Sequence, residues 1–269
     1  MNARRTIRPA ADNRATIGAV TDTNKPMVLG GMALIDGVYI RSANAWAIAR
    51  ADGSIETGDI KRSPVAKIPV LRVAWSIGQG LVSGLFRRRR GSANKRFLLT
   101  LVVLAGITFV EGQLIEHWPS WVAAWTLMAS ALVLMRFLMP ARLWRYHGAE
   151  HKAIAAYERY GRVTTAEEAK PVSRIHDRCG TNAVFLVALF APLIAENGLL
   201  LLGVLVAAEL IRFAVMKHPR HPLTRVLVGG GRFLQRTVTT TEPTLDELAV
   251  GCRAVEACVA ETQRVLVTF

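Results

Sequence analysis

Residues 97–139 read FLLTLVVLAGITFVEGQLIEHWPSWVAAWTLMASALVLMRFLM. The stretch holds two apolar runs, Phe97 to about Ile115 and Trp121 to about Met139, parted by the polar EHWPS. Each run has roughly the ~20 residues with which a helix crosses a hydrocarbon core. Trp118, Trp121 and Trp144 stand near the run ends, where aromatic belts lie. A further apolar stretch, residues 183–215, is too long for one crossing and is interrupted at Glu196, Asn197 and Gly198. It reads as two short spans joined by a tight turn, or as a re-entrant hairpin.

Charge supports a membrane reading. The chain has 269 residues, 51% of them hydrophobic, yet it carries 34 Lys+Arg against 20 Asp+Glu, a net +14. Its mean hydropathy is +0.27. A soluble domain rarely combines the two, whereas a membrane protein with basic flanks does so routinely. The basic run FRRRRGSANKR abuts an apolar run, so it reads as a membrane flank and nucleic acid is not an expected partner. Basic flanks alternate with EHWPS and ENG, which hold no Lys or Arg. The expectation is an α-helical integral membrane protein of about four transmembrane helices, multi-pass, with both termini cytoplasmic.

The rest of the chain is organised around those spans. Residues 1–26 form a basic tail without an apolar signal segment, read as disordered. Residues 27–65 are a small β-rich cytoplasmic module, in which Asp52-Gly53 is a hairpin signal. Residues 66–90 read as an interfacial helix. Two spans occupy 97–139, a His/Glu/Cys-rich cytoplasmic segment 140–182, and the short spans or hairpin 183–215. The C-terminal segment 216–269 carries an amphipathic helix opened by a Thr244/Glu247 capping box. The three cysteines, Cys179, Cys252 and Cys258, form no disulfide framework, and the last two read as core packing.

Just past the second span comes RYHGAEHK, residues 145–152. His147 and His151 are four apart, so on a helix they share a face and can bind one metal. Glu150 has the reach to take a proton from a metal-held water, which is the H-x-x-E-H pattern of inverted zinc peptidases. The competing reading is a polar helix end whose His, Glu and Lys reach into water. A second cluster, RIHDRCGT, places His176 and Cys179 at i and i+3, with Asp177 and Arg178 between them. His and Cys are both zinc ligands. The expected cofactor is a divalent transition metal, zinc for a mixed His and Cys set, with Arg145 or Arg178 holding an anionic group. Glu111, Arg136, Glu209 and Arg212 lie in or beside apolar runs, where ionisable groups are paired or functional. Glu209 and Arg212, at i and i+3, read as a local ion pair.

Five blocks in order, GGMALIDGVYIRS, RYHGAEHKAIAAYE, HDRCGTNAVFLV, ELIRFA and LQRTVTTTEPTLDELAVG, resemble the YqhQ-like family of bacterial membrane proteins. The resemblance runs from about Leu29 to about Ala257. It implies a metal-dependent enzyme of unassigned substrate, with His147, Glu150, His151 and the block His176 to Thr181 as its signature. This chain departs from the family pattern at Asp36, where Glu is usual, and at Asp177, where Pro is usual. Asp36, Arg41, Asp177, Glu111 and Glu209 are accessory candidates. The functional expectation is a membrane-embedded metal-dependent hydrolase, Glu150 its catalytic base, acting on a lipid or peptide substrate at the cytoplasmic face. The alternatives are a non-enzymatic scaffold binding anionic lipid, ribosome or protein, and a small transporter.

Overall fold

In residues 27–60, short runs holding Val38, Tyr39, Ile40, Trp46, Ile48 and Ile55 are separated by turn residues, a pattern that suits an antiparallel sheet. The computed structural model describes residues 5–7, 27–60 and 92–267. Its sheet has the strands β1 (Arg5–Ile7), β2 (Gly30–Leu34), β3 (Gly37–Arg41), β4 (Ala45–Arg50) and β5 (Ile55–Asp59). Their order is β1-β5-β4-β3-β2, and every neighbouring pair is antiparallel. Asp52-Gly53 turns the β4–β5 hairpin: Gly53 takes φ 83°, and Asp52 Oδ1 accepts the Ser54 N–H at 2.9 Å. Strand β1 comes from the stretch read as a disordered tail. The interfacial helix expected over 66–90 lies outside the described residues.

The described residues fall into two compact units. The first joins the sheet with Arg142–Ile175 and with the C-terminal segment from Thr240. Its helices are α3 (Ala141–Tyr160), the single turn α4 (Ala166–Ala169) and α10 (Leu245–Val267). Helix α10 lies across β3, β4 and β5 and buries Leu248, Val255, Cys258 and Thr262 toward them, a stripe of helical period. Thr262 Oγ1 and Ser42 Oγ meet at 2.8 Å, tying the helix to the sheet end. The Thr244/Glu247 capping box is in place, with both reciprocal bonds at 3.2 and 3.0 Å.

Helix α3 is the centre of this unit. Every residue from Gly148 to Ile154 is buried, so it is covered all round. Residues 240–244 cross one side of it. Thr241 donates its N–H to Trp144 O at 3.0 Å. A Cβ on Gly148 would stand 2.2 Å from Thr241 O, so only glycine lets the two backbones approach so closely.

The second unit is helical. It comprises α1 (Ser92–Leu114), α2 (Ser120–Leu138), α5 (Thr181–Leu189), α6 (Ala191–Glu196), α7 (Leu200–Lys217), α8 (Pro222–Leu227) and α9 (Gly229–Leu234). A π-helical turn, Gln235–Thr239, continues from α9. Here the structure overturns the expected four transmembrane helices. Among the described residues one helix, α2, is long and apolar enough to cross a membrane, at 19 residues and a mean hydropathy of 1.6. The apolar part of α1 is the shorter Leu101–Leu114. The run from 183 is cut near Pro192, which lacks an N–H for helix continuation and sits in the first turn of α6. What remains is a helix of 9 residues and one of 6. The 18 residues of α7 include Glu209, Arg212 and Lys217. Apolar composition alone had merged segments that the backbone breaks.

Candidate metal-binding site

Helix α3 gathers its polar residues on buried surface. His147 and His151, one turn apart, bring their ring centroids to 4.4 Å in an edge-on arrangement at 61°. One ring nitrogen of each lies within 4.8 Å of the other. His151 is 3% exposed, and its Nδ1 lies 2.7 Å from Arg174 O. A carbonyl oxygen only accepts, so Nδ1 carries the proton and Nε2 is the basic nitrogen of the neutral ring. Metal-binding histidines are oriented by this same kind of backbone hydrogen bond.

Glu150 is also buried, at 5% exposure, and faces the sheet. A Cβ on Gly31 of β2 would stand 2.8 Å from Glu150 Oε1, so the strand makes room for the carboxylate. Lys152 completes a run of three buried polar residues. Its ammonium donates to Lys170 O at 2.6 Å and pairs with the Glu242 carboxylate. Next along the helix from the histidine pair, the Tyr146 hydroxyl is held above its ordinary pKa, by burial first and by the nearby Glu247 carboxylate second.

The other predicted residues of this unit have different roles. Arg145 donates its Nε to both oxygens of Glu247, at 2.8 and 2.9 Å, and so braces the cap of α10. Asp36 sits at the β2–β3 turn, where its Oδ2 takes Arg50 Nη1 at 2.7 Å; Arg50 also reaches Glu56. Arg41 ends β3, opposite Gly30 and Trp46.

The HDRCGT block belongs to the second unit. Gln235, fully buried on the π-helical turn, clamps the His176 peptide: Oε1 accepts its N–H at 2.8 Å and Nε2 donates to its carbonyl at 3.0 Å. His176 Nδ1 lies 3.4 Å from the Arg178 N–H. Asp177 forms a two-point pair with Arg232, both bonds at 2.7 Å, which raises the Arg232 pKa. Cys179 Sγ lies 3.0 Å from Thr181 Oγ1. Glu111 accepts the Ser130 hydroxyl at 2.5 Å, and Glu209 takes Arg212 at 2.6 and 3.0 Å.

Sequence reasoning missed Lys152, Arg174 and Gln235. Lys152 stood inside the quoted RYHGAEHK but read as a solvent-reaching helix end. Arg174 and Gln235 carry no local signal, because their partners are 23 and 59 residues away in sequence.

The model of the family described as "Protein of unknown function (DUF1385)" matches residues 111–261, a span that includes both histidine blocks. The chain belongs to the DUF1385 family. This DUF1385 protein is similar to an uncharacterized protein, YqhQ, of Bacillus subtilis (strain 168). The two are 25% identical over 239 residues, 69% of this chain and 75% of that protein. No solved structure matches. The DUF1385 match begins in α1 and ends inside α10, so the sheet lies outside it, while α3 and most of α10 lie within.

Proposed function

We propose that this DUF1385 protein is a metal-dependent hydrolase acting on a membrane-associated substrate. His147 and His151 hold a divalent ion, zinc for this donor chemistry, and Glu150 is the general base. The observation that carries the reading is the His151 Nδ1–H bond to Arg174 O beside the His147 ring. It fixes the tautomer that turns a basic nitrogen toward a ligand.

A bound ion supplies Lewis acidity and lowers the pKa of water toward ~7. Glu150, buried one residue before His151, accepts the proton at its carboxylate. Helix α2 is proposed as the membrane attachment. It buries no residue, and Trp118, Trp121 and Trp125 at its start are exposed, as in an interfacial aromatic belt.

Elemental analysis of the gently purified protein tests the reading. The expected result is about one transition metal per chain, the zinc-site stoichiometry. His147→Ala and His151→Ala should each remove most of it, and Glu150→Gln should keep it. A metal-free wild-type protein would leave the non-enzymatic scaffold as the better account.

A further inference from the structure

We infer that Lys152 and Arg174 form a subsite for an anionic group, a phosphate or a carboxylate, which the Glu242 side chain fills in this structure. Calling that group part of the substrate rests on the hydrolase reading; the binding itself does not.

The starting point is an asymmetry of burial. Lys152 is among the most deeply buried charges of the first unit, with its side chain 5% exposed, whereas that of its partner Glu242 is 60% exposed. A buried ammonium needs an anion, because desolvating it unpaired is costly. A half-solvated carboxylate is a weak and easily exchanged one. Glu242 lies on the non-helical stretch between the π-helical turn and α10. Each cation has a second hold: Lys152 on Lys170 O at 2.6 Å, and Arg174 on Thr240 Oγ1 at 2.5 Å, two residues before Glu242.

The two cations also divide one carboxylate between them. Lys152 takes Oε1, and Arg174 Nε lies 3.6 Å from Oε2. An ammonium on one oxygen and a guanidinium on the next is how proteins hold carboxylates and phosphates. The second carboxylate of the same segment shows the contrast. Glu247 has a side chain 10% exposed, binds Arg145 through both oxygens and closes the α10 capping box. It is built in, whereas Glu242 is laid on.

Position supplies the link to the proposed chemistry. Lys152 follows His151 directly, and Arg174 gives its carbonyl to the His151 ring. Arg174 thus touches the His151 ring through its carbonyl and the bound carboxylate through its guanidinium. A lipid phosphate and free phosphate offer the same chemistry.

The test is a titration of the full-length protein and its Glu242→Gln variant with inorganic phosphate, read by calorimetry and by the shift in Tm. A second arm uses phosphatidylcholine vesicles with and without phosphatidic acid. Glu242→Gln should bind phosphate, or the phosphatidic acid vesicles, at least ~10-fold more tightly than wild type, since the internal competitor is gone. A gain with inorganic phosphate identifies free phosphate as sufficient, and a gain confined to the vesicles identifies a lipid headgroup. Adding Arg174→Gln should reverse the gain. Glu256→Gln, which removes the same charge from the exposed side of α10, should not produce it. If Glu242→Gln is less stable, phosphate should restore its Tm. An unchanged affinity in both arms, or a lost Tm that phosphate does not restore, would make Glu242 a structural partner and overturn the subsite. Metal content measured on the same samples separates this from the hydrolase reading. A metal-free protein that gains phosphate affinity would sink the hydrolase and keep the subsite.

Discussion

Gly148 stands between His147 and the buried Glu150, and its missing side chain is what lets residues 240–244 pass against α3. In an ordinary helix interior, Gly→Ala stabilises by about 1 kcal/mol through backbone entropy. Here the new Cβ would meet Thr241 O at 2.2 Å, and backbone must move. Overpacking of that kind costs about 1–3 kcal/mol, so the clash outweighs the propensity gain. Gly148→Ala should therefore lower the denaturation midpoint; a raised midpoint would show that the crossing segment yields freely. The same crossing carries Glu242 to Lys152, so this glycine also places the carboxylate that fills the proposed anion subsite. Within HGAEH, the pattern at four-residue spacing was legible because helical geometry alone puts both histidines on one face. The need for glycine was not, since Thr241 is 93 residues farther along the chain.

At the scale of elements, α10 makes a prediction about pH. Burial raises the thiols of Cys252 and Cys258 to about 11, against an ordinary value of 9.0. A raised folded pKa means that the contribution is intact below pH 9 and is lost as pH climbs toward 11. In that window the unfolded chain releases the protons first. Two pKa units correspond to about 2–3 kcal/mol per thiol. Urea denaturation at pH 8 and pH 10.5 should show this loss, and Cys258→Ala should remove part of the slope. An unchanged slope in that variant would mean the thiolate is tolerated where it lies. The capping box and the Asp52-Gly53 turn were readable because each rests on neighbours in sequence, and the packing role of both cysteines because a free Cys is usually a small buried hydrophobe. The helices of the second unit were not. Hydropathy averages over a window, while Pro192 and the three charges of α7 act at single positions. Equally invisible was the joining of the sheet to α3 and α10, which depends on contacts such as Ser42 with Thr262, 220 residues apart.

For the whole molecule, two kinds of surface divide the labour. The first unit buries a polar row on α3 under a sheet and a helix, and the second exposes large apolar side chains such as Leu99, Phe109, Trp121 and Phe137. Exposed apolar surface on that scale marks an interaction face. If lipid covers it, tryptophan fluorescence should be quenched by brominated lipids in vesicles, chiefly through Trp118, Trp121 and Trp125. No quenching would assign the surface to a protein partner instead. The account's central claim is narrower: His147 and His151 bind one metal ion. The most direct measurement is X-ray absorption at the zinc edge of the zinc-loaded protein. The account predicts a shell of at least two imidazole nitrogens at about 2.0–2.1 Å. The imidazole signal should vanish in the His147→Ala/His151→Ala double variant. A spectrum that the double variant leaves unchanged, or a wild-type protein that retains no zinc, would contradict it.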